Sequence, residues 1–239
     1  MKCRFNKNFF KLFTKFMADK LDLQRHEAFL INEMSTCKSI SVKSTNLTYK
    51  GLVDFGEDNH PTNLNEKADH GLVIMFKLFA DVYIQPIAVF ASRGPVTGYV
   101  LTQLVVKAIS LVKNAGAKVH AVITDGASTN RNFWENIGVS GKRKGLKNYF
   151  LHPMVKDRKV FVFSDTPHFI KTIRNRLANN SQLKMDPNGL FIKWEHFHIL
   201  QKEDSKLVLT LRVCNKLTNN HITLKCSDKM RVFLAVQVY

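Results

Sequence analysis

The sequence predicts an α/β fold: a mixed sheet with antiparallel first strands, then parallel βαβ units, flanked by helices. Three observations predict it. Apolar runs at 72–79 and 84–90, split by a short turn near Asp81, read as a hairpin. A helical period over 101–112 leads into a strand–helix–strand–helix succession. Both strands of that succession end on an aspartate, Asp125 and Asp165.

The elements follow in order. Residues 8–20 form an amphipathic helix, with Phe9, Leu12, Phe13, Phe16 and Met17 on one side and Lys11 and Lys15 interleaved. A basic, Phe-rich helix suits a presequence, a membrane anchor or a packing helix, and packing is the role favoured here. Residues 28–34 (AFLINEM) read as a buried strand, and 40–42 and 47–49 as a small hairpin. Residues 56–70 are polar and read as a loop. Pro86 gives the second strand of the main hairpin an irregular or edge position. The helix carrying Leu101, Leu104, Val105, Ala108, Leu111 and Val112 ends before Gly116, a candidate terminator. A strand at 119–124 runs into Asp125-Gly126, and a helix starts near Ser128. Residues 138–149 read as a basic, glycine-containing loop, and 160–163 as a strand. Thr166 is the expected cap of the helix 168–177, with Pro167 at its first position.

Composition narrows the class. The 239 residues suit one ordinary domain plus part of a second. With 45% hydrophobic residues and 18 Phe the chain can bury a sizeable core. The formal charge of +17 points to a polyanionic partner, nucleic acid first and an acidic membrane surface second, although solubility alone also raises charge. No apolar run approaches 18 residues, so no membrane span is expected. The four cysteines match no zinc module and read as reduced thiols. Dinucleotide, P-loop, zincin and nucleophile-elbow motifs are absent, which weighs against those enzyme classes.

The remaining chemistry lies at strand ends. Parallel strands would bring Asp125 and Asp165 to one sheet edge, where open α/β sheets place their sites. A carboxylate there can hold a hard cation such as Mg²⁺, and two cations can clamp a phosphodiester. Taken singly, either Asp is equally a turn or helix-cap residue. After Asp165, His168, Lys171 and Asn175 form one stripe with Arg174 beside it, while Ile170, Ile173 and Leu177 face the core. That polar stripe suits phosphate contact or plain solvent exposure. Residues 142–176 hold ten Lys and Arg against two Asp, so cations such as Lys142, Arg143, Lys144, Lys171 and Arg174 cluster near the candidate edge.

Several segments together resemble the P-element transposase family, to which vertebrate THAP-type transposase-derived proteins belong. They are LINEM (30–34), TYKGLVDFGED (48–58), VITDGASTNRNFW (122–134) and SDTPHFIKTIRNRL (164–177). KMRVFLAVQVY (229–239) resembles the opening of that family's insertion domain. The resemblance covers roughly residues 20–239.

The resemblance implies an RNase H-like catalytic domain, DNA cleavage and strand transfer with metal ions, a nuclear location and DNA as partner. A full-length transposase is a second implied partner. Three segments are expected: a basic amphipathic helix at 1–24, and, as the resemblance implies, the catalytic domain at 25–178 and the start of a truncated insertion domain at 179–239. The family's fourth-strand Asp is matched by Asp125. Its first-strand Asp is matched by Asn32, a degenerate position, and Glu33 points to the opposite strand face. Asp165 and His168 are expected beside the site. The late acidic residue and the zinc-binding module are not matched. Mg²⁺ is therefore expected to bind weakly, and GTP, held by the intact family, is not expected here. A catalytically incomplete transposase is the expectation. The alternative is a non-catalytic DNA-binding or protein-interaction module, and a wholly parallel sheet would instead favour an unrelated nuclease.

Overall fold

The computed structural model describes residues 4–43, 48–56, 65–142 and 144–237. Two compact units divide the chain, Met1–Ser164 and Asp165–Tyr239.

The first unit is built on a seven-stranded sheet. Its strands are β1 (Arg4–Phe5), β2 (His26–Ser35), β5 (His70–Leu78), β6 (Ile84–Ser92), β7 (Lys118–Thr124), β8 (Tyr149–Leu151) and β9 (Lys159–Ser164). Their spatial order is β1-β6-β5-β2-β7-β9-β8. β2, β5 and β6 pair antiparallel, whereas β2, β7 and β9 run parallel. The sheet is mixed, as expected, which removes the wholly parallel alternative. A separate hairpin pairs β3 (Ser41–Lys43) with β4 (Thr48–Lys50); the turn expected between them lies outside the described residues, as does most of the 56–70 loop.

Alternation along β5 buries Leu72, Ile74, Phe76 and Leu78 on one face. The α-helices among the described residues of this unit are α1 (Lys7–Ala18), α2 (Gly98–Asn114) and α3 (Ser128–Asn136). From α1, Phe13 and Met17 are buried, and the Phe13 ring lies 4.7 Å from that of Phe76. From α2, Leu101, Leu104, Val105, Ala108, Ile109 and Val112 are buried. The N-terminal helix thus packs against the core of this unit. Gly98 is required by the closeness of α3, because a Cβ there would meet Asn132 Cβ at 2.6 Å.

Several details differ from the sequence expectation. β1 was not expected, and it pairs with Ala88 and Val89 of β6. Pro86 lies beyond that pairing, next to a register shift, so its missing N–H breaks no bond to β1. β8 falls at the end of the segment read as a loop. It is three residues long, too short for periodicity to show.

The second unit opens with α4 (Thr166–Asn180), which Asp165 caps in place of Thr166: its side chain accepts from His168 N–H. Thr166 and Pro167 instead start the helix. A two-stranded ribbon, β10 (Gln182–Lys184) with β11 (Phe191–Lys193), precedes α5 (Trp194–Ser205). Three short helices follow: α6 (Asn219–Ile222), α7 (Cys226–Met230) and α8 (Val232–Val236). Arg231, with an extended backbone, separates α7 from α8. Among the described residues no helix is long and apolar enough to cross a membrane.

Candidate functional site

The site is built by the parallel pairing of β2 and β7. Ile31 pairs with Thr124, so the next residue on each strand is Asn32 and Asp125. Sequence distance hides this neighbourhood; the register creates it. Asn32 is exposed, and Asp125 is half-buried just past the last residue of β7. Gly126 turns the chain away with φ of 75°. A side chain there would be strained and would meet Ser164 Oγ at 3.1 Å.

Asp125 is fixed by its own helix. Its Oδ1 accepts from Ala127 N–H at 2.9 Å and from Asn130 Nδ2 at 2.5 Å. Arg131 donates to Gly126 O at 2.8 Å and closes the same turn. Because Oδ1 takes both bonds, Oδ2 is the oxygen able to turn to a cation.

Glu33 lies next to this pair but belongs to the buried face of β2. Its Oε1 accepts from Val96 N–H at 2.8 Å, just before α2. Burial pushes the Glu33 carboxyl up, and the negative charge of Asp125 pushes the same way; the Val96 hydrogen bond and His70 oppose them. Sequence reasoning did not find this bond, whose partners stand 63 residues apart. At the same strand ends, Ser35 Oγ meets His70 Nε2 at 3.2 Å, and His70 Nδ1 meets Asp69 Oδ1 at 2.7 Å. Asp69 also accepts from Gly94 N–H at 2.6 Å and pairs with Lys38 at 3.2 Å. The Gly94 bond, with His70 and Lys38, holds the Asp69 carboxyl far below the usual carboxylate range. These links tie β2, β5 and the 93–97 turn together around the strand end that bears Asn32.

The donor set can be tested against a metal. It offers one carboxylate, one neutral amide oxygen, and a second carboxylate already engaged by Val96. Among the described residues no group of three His, Cys, Asp or Glu side chains could hold a cation. These residues do not fit a two-ion clamp, which needs several anionic oxygens.

In the second unit Asp165 and His168 form a dyad, with Nδ1 to Oδ2 at 2.6 Å and both side chains partly exposed. Lys171 is half-buried on α4. Arg174 is not on the surface, where the sequence placed it. It is 1% exposed. Its guanidinium donates to Asn175 Oδ1 at 2.9 Å, Asp228 O at 3.0 Å and Lys229 O at 3.3 Å. Asn175 Nδ2 donates to Lys229 O at 2.8 Å. Both residues are spent on backbone carbonyls, so the solvent-facing phosphate set loses Arg174. Ile170 and Ile173 are half-buried and Leu177 is buried, as the apolar stripe predicts.

The basic loop before β8 belongs to the first unit. Lys142 and Lys144 are exposed, and Arg143 lies outside the described residues. Lys147 and Lys159 approach the Tyr149 ring at 5.6 and 4.5 Å. Four lysines and an aromatic face make this a cationic edge.

Comparison with known proteins places these features. Residues 1–138 match the family model "TNP-like, RNase H N-terminal domain", and residues 167–239 match "TNP-like, GTP-binding insertion domain". The chain is 34% identical over 126 residues to the Transposable element P transposase of Drosophila melanogaster, covering 52% of this chain and 15% of that protein. It is 22% identical over 232 residues to the human DNA transposase THAP9, covering 96% of this chain and 25% of that protein. Thus it spans a quarter or less of the length of either relative. Its fold matches a chain of the Drosophila P element transposase strand transfer complex with a TM-score of 0.72 at 23% identity, over 95% of this chain and 45% of that one.

Proposed function

The chain belongs to the TNP-like transposase family through its RNase H N-terminal domain, and from that premise we propose that it is a DNA-handling, P-element-type transposase domain with a weakened cation edge. One observation carries the reading: the β2–β7 register sets Asn32 beside Asp125 at the strand ends. An amide there keeps an oxygen donor but removes a negative charge, so hard-cation affinity falls. Asp125 remains as the residue able to make a weak cation contact. In the second unit His168 is held through Nδ1 by the Asp165 carboxylate, so its Nε2 points away from that bond.

DNA is the proposed partner, and the nucleus the proposed location. Lys142, Arg143, Lys144 and Lys171 are assigned to phosphate contact. The chain carries no P-loop motif, and the proposal gives its second unit no GTP of its own. Strand cleavage is assigned only to assemblies that supply further acidic ligands, such as a full-length transposase partner.

The cationic loop also favours a second reading, a non-catalytic DNA-binding module. Duplex affinity measured against salt tests the DNA claim common to both. Several phosphate contacts make log K fall steeply with log salt, by about 0.9 per contact. A Lys142→Glu/Lys144→Glu variant should lower that slope by about two. A flat salt response of the parent chain would remove DNA from both readings.

A further inference from the structure

Away from the strand ends, β1, α1 and α2 enclose an open groove of about 410 Å³. The spacing of α1 explains it. Phe9, Phe13, Phe16 and Met17 turn toward the core, whereas Lys7, Phe10, Lys11 and Thr14 share the adjoining stripe at i, i+3, i+4 and i+7. Phe10 and Leu111 are half-buried and form an apolar floor. Arg4, Lys7, Lys11 and Lys107 stand around it, and no lining side chain is acidic. Lys107 Nζ sits 5.5 Å from the centre of the Phe5 ring, so positive charge is held directly over aromatic surface.

We propose that this groove takes an unpaired nucleotide of a DNA single strand, with its base on Phe10 and Leu111 and its phosphates on the surrounding cations. The volume lies in the range of small-ligand pockets, and an apolar floor with an aromatic ring suits a base. Duplex DNA keeps its bases stacked inside and offers such a floor nothing. A simple fatty acid carries one charge, whereas four cations surround the groove and a strand carries one charge per phosphate. The proposal does not rest on the cation edge at Asn32 and Asp125.

The test is fluorescence anisotropy of a labelled oligothymidylate against the full chain, with a matched duplex and thymidine monophosphate as further arms. Phe10→Ala should weaken the single strand about tenfold and leave duplex affinity unchanged. Lys7→Glu/Lys11→Glu changes only exposed side chains and keeps the fold. It should flatten the single-strand salt dependence by about 1.4 in log–log slope, the share of two phosphate contacts. Asp125→Ala should leave single-strand binding intact, which separates this site from the cation edge. Thymidine monophosphate should bind far more weakly than the strand, since it lacks neighbouring phosphates. Equal single-strand affinity of Phe10→Ala and the parent, or an equal loss for the duplex, overturns the proposal. So does Phe10-dependent binding of dodecanoate with Phe10-independent binding of the oligonucleotide, which would give the groove to an amphiphilic anion.

Discussion

The two compact units use their apolar side chains differently. In the first, Phe29, Ile74, Phe76, Phe90 and Val122 are fully buried beneath the helices of the sheet. In the second, the buried apolar side chains among the described residues are Leu177, Ile222, Leu234 and Ala235 alone. The second unit is organised instead around a buried cation: Arg174 reaches carbonyls 54 and 55 residues away, on an α4 that packs against α7 and α8. One unit is therefore held by apolar area and long strand pairing, the other by a few directional bonds. Hydrophobic burial scales with area and tolerates small shifts, whereas a guanidinium anchor depends on geometry and fails as a whole.

The largest effects should expose that contrast. Phe76→Ala removes a fully buried ring from the first unit and should cost about 3–5 kcal/mol in denaturant unfolding. Arg174→Leu removes charged donors from the carbonyls of Asp228 and Lys229, which keep Arg231 N–H and Asn175 Nδ2, and should cost about 2–3 kcal/mol. Hydrogen exchange then separates the two: Arg174→Leu should lose amide protection in α4, α7 and α8. An Arg174→Leu protein with parental protection there would break the comparison.

A smaller effect sits inside the first core. Glu27 is 0% exposed on β2, and neither carboxylate oxygen has a hydrogen-bond partner among the described residues. Burial pushes its carboxyl well above the ordinary value of 4.5. The unfolded chain releases this proton near 4.5, while the folded chain keeps it to higher pH. Stability from this group is thus full below 4.5 and falls as pH rises toward the folded value. Glu27→Gln should gain on the order of 1–3 kcal/mol at pH 7, with the gain vanishing in acid. Thermal melts across pH check it, and a gain that persists in acid would contradict the assignment.

What could be read from the sequence follows the same division. β2, β5 and β7 are apolar runs bounded by polar residues, α2 carries a period-3.6 pattern, and each stands where it is expected. β1 and β8 have two and three residues, and strands that short have no period to read. The motifs around Asp125 and Asn32 mark both positions in the sequence, and the β2–β7 register brings them together. Strand alternation predicts that Glu33 faces the other way from Asn32; its bond to Val96 comes from a turn far along the chain. Arg174 was misplaced because a charged residue on a helix reads as exposed. Its burial depends on carbonyls of short, weakly patterned helices near the end of the chain. Thr166 and Asp165 are both good caps, and only the backbone path chooses Asp165.

The smallest expected effect tests the central claim, that Asn32 beside Asp125 leaves a weakened cation edge. Titration calorimetry with Mn²⁺ should be run on the chain, on Asn32→Asp and on Asp125→Ala. The account predicts weak binding by the parent, no binding by Asp125→Ala, and binding about tenfold tighter in Asn32→Asp, because a second carboxylate joins the first. Equal affinities for all three proteins would contradict it, since neither strand end would then hold the ion.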